Sequence, residues 1–414
     1  MGMKINAHLP IPADLKAEYP LSSQILKLKE KRDREIREIF EYGNKRKAEI
    51  GAENVFDFSL GNPSIVPPKS VKESIIDIVN TEPEMELHGY MNNSGYEDVR
   101  EAIAEFTNKS YGTNFTKANI VMTVGAAGGI NVTFKTLVDD GDEIICIAPY
   151  FGEYNSYISN ANGVRVVVSP DTETFSINFK ELEEKISPKT KFVIINSPNN
   201  PTGAVYSEED IEKLASILEK KQAEYGTEIY IFSDEPYREI AFNNTEVPYV
   251  TKYYNNTIVG YSYSKSLSLP GERIGYLVVP SEIADFEDVM SGLNVATRIL
   301  GFVNAPSLMQ KVVARNLGKT ADLAIYEENE KLLYNALVEM GYEIVEPKGT
   351  FYMFPKSPIA DDKQFCADAK EFGLVLVPGS NFGCPEHFRI AFCVDKEKIE
   401  ASLPSFKKAI EKYK

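Results

Sequence analysis

From residue 119 onward the chain alternates strand-sized apolar runs with helical patterns, and this rhythm limits its possible folds more than any single motif does. The apolar runs fall at 120–124, 143–148, 164–169, 191–196, 228–233 and 257–261. Strands that alternate with helices are the signature of βαβ units, and a series of them predicts a mostly parallel, doubly wound sheet. A seventh run at 274–279 follows the sixth too closely for a crossover helix and is expected to pair antiparallel. The fold class expected is α/β, a mostly parallel seven-stranded sheet flanked by helices.

The flanking segments read differently. Residues 9–20 carry Pro10, Pro12 and Pro20 and suggest an extended arm, followed by an amphipathic helix over 22–50 (Ile25, Leu28, Ile36, Ile39, Phe40). A short strand at 56–60 breaks at Gly61-Asn62-Pro63-Ser64, and helices are expected at 71–79 and 96–111 around the loop 88–95. Helical pattern dominates 281–340, with a break near Ala305-Pro306. The tail predicts strands at 342–345, 351–354, 375–377 and 388–392 between helices at 361–372 and 395–412. Residues 51–310 are therefore expected to form a large domain. The arm and helix of 1–50 would join 311–414 in a smaller α+β domain.

Composition removes several function classes. A net charge of −16 argues against nucleic acid, which asks for a basic face. The cysteines Cys146, Cys366, Cys384 and Cys393 have no close metal-ligand spacing, and the histidines are only His8, His88 and His387, so no metal site is expected. Cys146 lies in an apolar run and reads as an inert buried thiol. The apolar runs are too short to span a bilayer, and few cysteines without a signal peptide suggest the cytoplasm.

In an open parallel sheet, ligands bind beyond the carboxyl ends of the strands, and five unusual clusters begin just after predicted strands. Gly125-Ala126-Ala127-Gly128-Gly129 opens a helix with small residues that expose amide groups to an anion, though a tight turn reads the same way. Pro149-Tyr150-Phe151 places an aromatic where a flat ring could stack, or where a core could use it. Ser197-Pro198-Asn199-Asn200-Pro201-Thr202-Gly203 holds Asn200 extended before proline, aiming its amide off a strand end. Ser233-Asp234-Glu235-Pro236-Tyr237 closes a buried strand with a carboxylate that needs a partner. The fifth, Ser262-Tyr263-Ser264-Lys265, is followed eight residues later by Arg273.

A lysine desolvated near another cation is a depressed-pKa amine of the kind that attacks carbonyls, while serine hydroxyls with an arginine fork suit a phosphate monoester. Pyridoxal phosphate (PLP) makes both demands, and its protonated pyridine nitrogen would partner Asp234. In the tail, Arg389 inside the apolar run His387–Ala391 could clamp a carboxylate, or form a structural salt bridge.

Together these residues resemble the fold type I, PLP-dependent aminotransferases of the aspartate aminotransferase superfamily (class I/II). The motifs that carry the resemblance are Asn200-Pro201-Thr202-Gly203, Asp234-Glu235-Pro236-Tyr237, and Ser262-Tyr263-Ser264-Lys265 with Arg273, over a coverage from Gly61 to Arg389. The resemblance implies that Lys265 forms the Schiff base with the cofactor aldehyde and then shuttles the substrate's Cα proton. It implies Asp234 on the pyridine nitrogen, Asn200 and Tyr237 on the 3′ oxygen, and Phe151 (tryptophan in some relatives) on the ring face. Gly125, Ala126 and Ala127 with Ser262, Ser264 and Arg273 would take the phosphate, the alanines through backbone amides alone where some relatives offer hydroxyls.

Tyr90 matches a tyrosine that reaches the neighbouring subunit's phosphate, implying a homodimer with shared sites. Arg389 matches the arginine that grips the substrate α-carboxylate, with a Gly61 backbone amide beside it and Asn200 adjoining. Arg298 lies near the position where dicarboxylate-specific relatives place an arginine from the partner subunit, which favours aspartate or glutamate as donor over aromatic or other neutral amino acids, though an arginine on a helix surface reads the same way. The implied substrates are thus small amino acids and 2-oxo acids. A C–S β-lyase and a non-catalytic regulator on the same fold are the alternatives.

Overall fold

The computed structural model describes residues 34–414. The proline-bearing stretch and the first part of the expected 22–50 helix lie outside the described residues; the helix Arg34–Ile50 is its remainder.

The central sheet has seven strands: β2 (Ile120–Thr123), β3 (Glu143–Ile147), β4 (Val164–Val168), β5 (Thr190–Asn196), β6 (Tyr230–Asp234), β7 (Thr257–Ser262) and β8 (Gly275–Val278). Their spatial order is β2-β8-β7-β6-β5-β3-β4. β4, β3, β5, β6 and β7 run parallel, and β8 is antiparallel to both neighbours, with Tyr261 opposite Tyr276 on one side and Val121 opposite Leu277 on the other. Both features match the expectation. The strands are apolar on both faces because helices cover both. In β5, Phe192 and Ile194 join the layer packed by helices Gly125–Leu137 and Phe286–Ile299, while Val193 and Ile195 join the layer of helix Glu208–Tyr225. Each fully buried side chain of this size contributes roughly 1.5–3 kcal/mol relative to exposure.

A second core gathers residues from both ends of the described chain, including Phe58, Tyr326, Phe351, Phe388 and Phe406. It holds a parallel pair of β1 (Phe56–Asp57) with β10 (Leu374–Val375), and an antiparallel sheet of β9 (Tyr352–Met353), β11 (Val377–Pro378) and β12 (Phe388–Ala391) in the order β11-β12-β9. Among the described residues no helix is long and apolar enough to cross a membrane.

Three elements differ from expectation. The strand expected at 56–60 pairs with β10 only over Phe56–Asp57. Beyond that, the Phe58 carbonyl accepts from Ala391 N–H and the next three carbonyls accept from side chains, so no ladder continues. The strand expected at 342–345 is irregular: Tyr342 is buried, but pairing reduces to Lys356 N–H on the Glu343 carbonyl. The helical stretch of 281–340 is broken twice, leaving Phe286–Ile299, Ser307–Ala314 and Ala324–Met340.

Candidate active site

The carboxyl ends of β2, β3, β5, β6 and β7 converge on a cavity of about 740 Å³, into which Tyr352 and Arg389 also project from the smaller sheet. Ala126, Ala127, Phe151, Asn200, Asp234, Tyr237, Ser262, Ser264, Lys265, Arg273, Gly61 and Arg389 all line it.

At one end lies the start of helix Gly125–Leu137, whose first amides have no side-chain cap among the described residues. Gly125 adopts φ +69, and a Cβ there would stand 2.6 Å from Arg273 Nη2. The residue must be small and left-handed for the guanidinium to cross it. Arg273 is itself left-handed at φ +53 and donates to the Pro270 carbonyl at 3.0 Å. Ser262 and Ser264 share a 2.8 Å hydroxyl contact, and the Ser264 N–H donates to Ser262 Oγ. Amides, hydroxyls and a guanidinium thus converge, which is a donor set for a phosphate.

In the middle, Asp234 is 8% exposed. Its Oδ2 accepts from Tyr154 Oη at 2.6 Å, whereas Oδ1 is buried without a partner. Burial raises its pKa to about 6, a shift that the Tyr154 hydrogen bond opposes and nearby Glu235 reinforces. Phe151 meets Tyr154 edge to face. Lys265 Nζ donates to the Gly61 carbonyl at 2.7 Å. Burial lowers the pKa of its amine to about 8; Arg389 and Arg273 push the same way and Cys393 opposes. An amine in this state is a competent nucleophile near neutrality.

At the other end Arg389 is 3% exposed, donating from Nη1 to Asn200 Oδ1 at 3.0 Å and from Nη2 to the Ser59 carbonyl at 2.7 Å. Its Nε is buried without a partner, and among the described residues no carboxylate pairs with it. The structural salt bridge open at the sequence level is therefore absent there. The guanidinium lies 4.6 Å from the Tyr352 ring and 4.8 Å from that of Phe382. Because Asn200 spends its amide oxygen on Arg389, its NH2 group is what can donate to a phenolic oxygen.

Gly61 touches the site through its carbonyl, which receives Lys265 Nζ. Tyr90 is 94% exposed and Arg298 is exposed in the last turn of helix Phe286–Ile299, so neither lines this chain's cavity. Sequence reasoning also missed Tyr154, Asn196 and Tyr352. Asn196 donates to the Asp234 carbonyl and accepts from Asn200 N–H, tying two strand ends together. Its position as a polar residue closing an apolar strand was the available signal, as was the spacing of Tyr154 three residues beyond Phe151.

An open α/β sheet with a desolvated lysine, a half-satisfied carboxylate and an uncapped helix end at its carboxyl edge defines a PLP enzyme of the aminotransferase type. The chain belongs to the family "Aminotransferase class I and II", whose model matches residues 53–405. Enzymes of this family transfer amino groups and depend on PLP. The chain is similar to an amino transferase from Eubacterium rectale of known crystal structure, 47% identical with a TM-score of 0.90 and all of both chains covered. It is 30% identical to the aspartate aminotransferase of Pyrococcus horikoshii over 406 residues, 96% of this chain and 98% of that one. It is 31% identical to a probable aspartate/prephenate aminotransferase of Aquifex aeolicus over 375 residues, 86% and 91% of the two chains.

Proposed function

We propose that the cavity holds PLP and moves an amino group from an L-amino acid, aspartate or glutamate favoured, to a 2-oxo acid. The partnerless Oδ1 of buried Asp234 supports this most directly, because a protonated pyridine nitrogen supplies the missing donor. The other residues fit the same group. The first amides of helix Gly125–Leu137, Ser262, Ser264 and Arg273 would take the phosphate, Asn200 and Tyr237 the 3′ oxygen, Phe151 a ring face, and Lys265 the aldehyde carbon. When bound, PLP supplies an electron sink for the pair left behind when a Cα–H bond breaks.

The chain's own residues do the rest. Arg389 binds the substrate α-carboxylate with a planar fork, exchanging its resting contact with the Ser59 carbonyl for the ligand. That fixes the Cα hydrogen toward Lys265, whose Nζ gives up the Gly61 carbonyl to take and hold the proton. Asp234, held in orientation by Tyr154, would stay ionised against a protonated pyridine nitrogen.

Arg298 supports dicarboxylate preference only through a partner subunit. Lys265, Arg273 and Arg389 are the cations of this chain's cavity, and each already has a task. A homodimer, with Tyr90 reaching the neighbour's phosphate, accounts for both exposed residues. Two relatives that bear aspartate in their names support the donor class.

The test is a titration of the PLP-loaded protein with a panel of amino acids, following visible absorbance and 2-oxo acid release. Aspartate and glutamate should shift the spectrum at the lowest concentrations and release oxo acid beyond one equivalent per site only when an acceptor is supplied. Pyruvate and thiol from cystathionine without an acceptor would instead make it a lyase. Lys265→Ala should abolish turnover, and near-normal activity in that variant would overturn the proposal.

A further inference from the structure

Tyr352 is used by none of the roles above, yet it touches three of the groups that carry them. It is 3% exposed and lines the cavity. Its hydroxyl lies 3.2 Å from the Tyr237 hydroxyl, and its ring lies 4.6 Å from the Arg389 guanidinium. The same hydroxyl presses on Gly61, where an added Cβ would stand 1.8 Å from it, so only glycine fits where the carbonyl receives Lys265.

The backbone leading to Tyr352 is held with unusual force. Thr350 has φ +63, an outlier for a β-branched residue that the surroundings must enforce. Its N–H donates to the Ile240 carbonyl, and its hydroxyl accepts from Tyr352 N–H at 3.1 Å. The preceding Lys348 and Gly349 N–H groups both donate to the carbonyl of Gly203, in the turn that carries Asn200. The tyrosine is thus locked to the Asn200 turn on one side and to the Tyr237 loop on the other.

We infer that Tyr352 is a positioning residue: its hydroxyl donates to Tyr237 and its ring face aligns Arg389. This rests on the reading in which Tyr237 donates to the cofactor's 3′ oxygen and Arg389 takes the substrate carboxylate. A phenol has one proton. If that of Tyr237 goes to the cofactor, the Tyr237 oxygen must accept, and Tyr352 is the donor in contact with it. A donor that itself accepts a hydrogen bond is polarised and donates more strongly. Tyr352 therefore sharpens the group that stabilises negative charge on the 3′ oxygen, while its π face keeps Arg389 flat for a bidentate carboxylate. Hydroxyl and ring have separable jobs.

The experiment uses PLP-loaded protein and two variants of Tyr352. Tyr352→Phe keeps the ring and loses the hydroxyl; Tyr352→Leu loses both. In Tyr352→Phe the pH midpoint of the visible absorbance change should rise by about 0.3–0.7 unit, with KM for the amino donor unchanged. Tyr352→Leu should show the same rise and a KM higher by about tenfold. Tyr237→Phe serves as the control and should raise the midpoint by roughly one unit or more, with no further rise when Tyr352→Phe is added. An unmoved midpoint in Tyr237→Phe would overturn the underlying reading of Tyr237. A shift there with none in Tyr352→Phe, or shifts that add in the double variant, would overturn the role of the Tyr352 hydroxyl alone. Equal KM in the phenylalanine and leucine variants would overturn the role of its ring.

Discussion

Lys265 and Asp234 are held in states that water would not allow, and each state makes a measurable prediction. With its amine lowered to about 8, Lys265 is half free near pH 8, where an ordinary lysine is almost wholly charged. The rate at which PLP-free protein captures added PLP, read from the growth of visible absorbance, should rise with pH to a midpoint near 8. A midpoint above 10 would mean that the amine is not desolvated.

Asp234 stands above its ordinary value of 3.8 at about 6 in the chain without cofactor. The sign follows from linkage. The folded form binds the proton more tightly, so this group's stabilisation is complete below 3.8 and is lost as pH rises through about 6. At pH 8 the PLP-free protein carries a buried charge costing on the order of 3 kcal/mol or less. Asp234→Asn should raise the melting temperature of PLP-free protein most at pH 8, give about half that free-energy gain at pH 5, and weaken PLP binding. Equal gains at both pH values would contradict the charged state.

Lys265, Asp234, Asn200 and Arg389 were visible in the sequence as exceptions, polar groups at or inside apolar strands. Tyr154 and Tyr352 were not, because a buried tyrosine is ordinary core until its hydroxyl partner is known.

At the scale of elements, the sheet was legible and its margins were not. Strands of β3 and β5 are apolar throughout because helices cover both faces, so their pattern survives any detail of pairing. The residues after β1 alternate just as well, yet their carbonyls go elsewhere. Ser59, Leu60 and Gly61 present theirs to Arg389, Cys393 and Lys265. Alternation records which face is buried, not which groups the backbone bonds, and a stretch that serves a site can keep the pattern without the ladder. The 342–345 stretch shows the same limit.

The helix Gly125–Leu137 carries the element-scale prediction. Gly125→Ala would force a left-handed alanine against Arg273. Strain of about 1 kcal/mol or more, added to a displaced guanidinium, should weaken PLP affinity by about tenfold or more. Free inorganic phosphate, as a competitor of PLP capture, should lose potency in parallel. Unchanged affinity for both would place the phosphate elsewhere.

At the scale of the molecule, two residues that the family likeness draws into the chemistry lie outside the lining of this chain's own cavity. Tyr90 and Arg298 are exposed, and apolar Met85, Val295 and Ile299 are exposed too. A two-fold dimer, in which each chain lends these residues to the other, would explain why neither reaches its own site. Mixing separates lending from self-use. Lys265→Ala removes the lysine from a chain's own site, and Arg298→Leu removes the arginine that the same chain would lend. In a mixed dimer, the site built on the Arg298→Leu chain keeps its lysine and receives an intact arginine from the other protomer. An equal mixture re-paired at random should then regain about one quarter of wild-type aspartate turnover, although each parent is poor alone. If Arg298 served its own chain's site, every site in the mixture would lack one residue and no activity would return. A neutral donor such as phenylalanine sets the scale, since Arg298→Leu should spare it. Its loss alongside aspartate would show that Arg298 holds the fold rather than the second carboxylate.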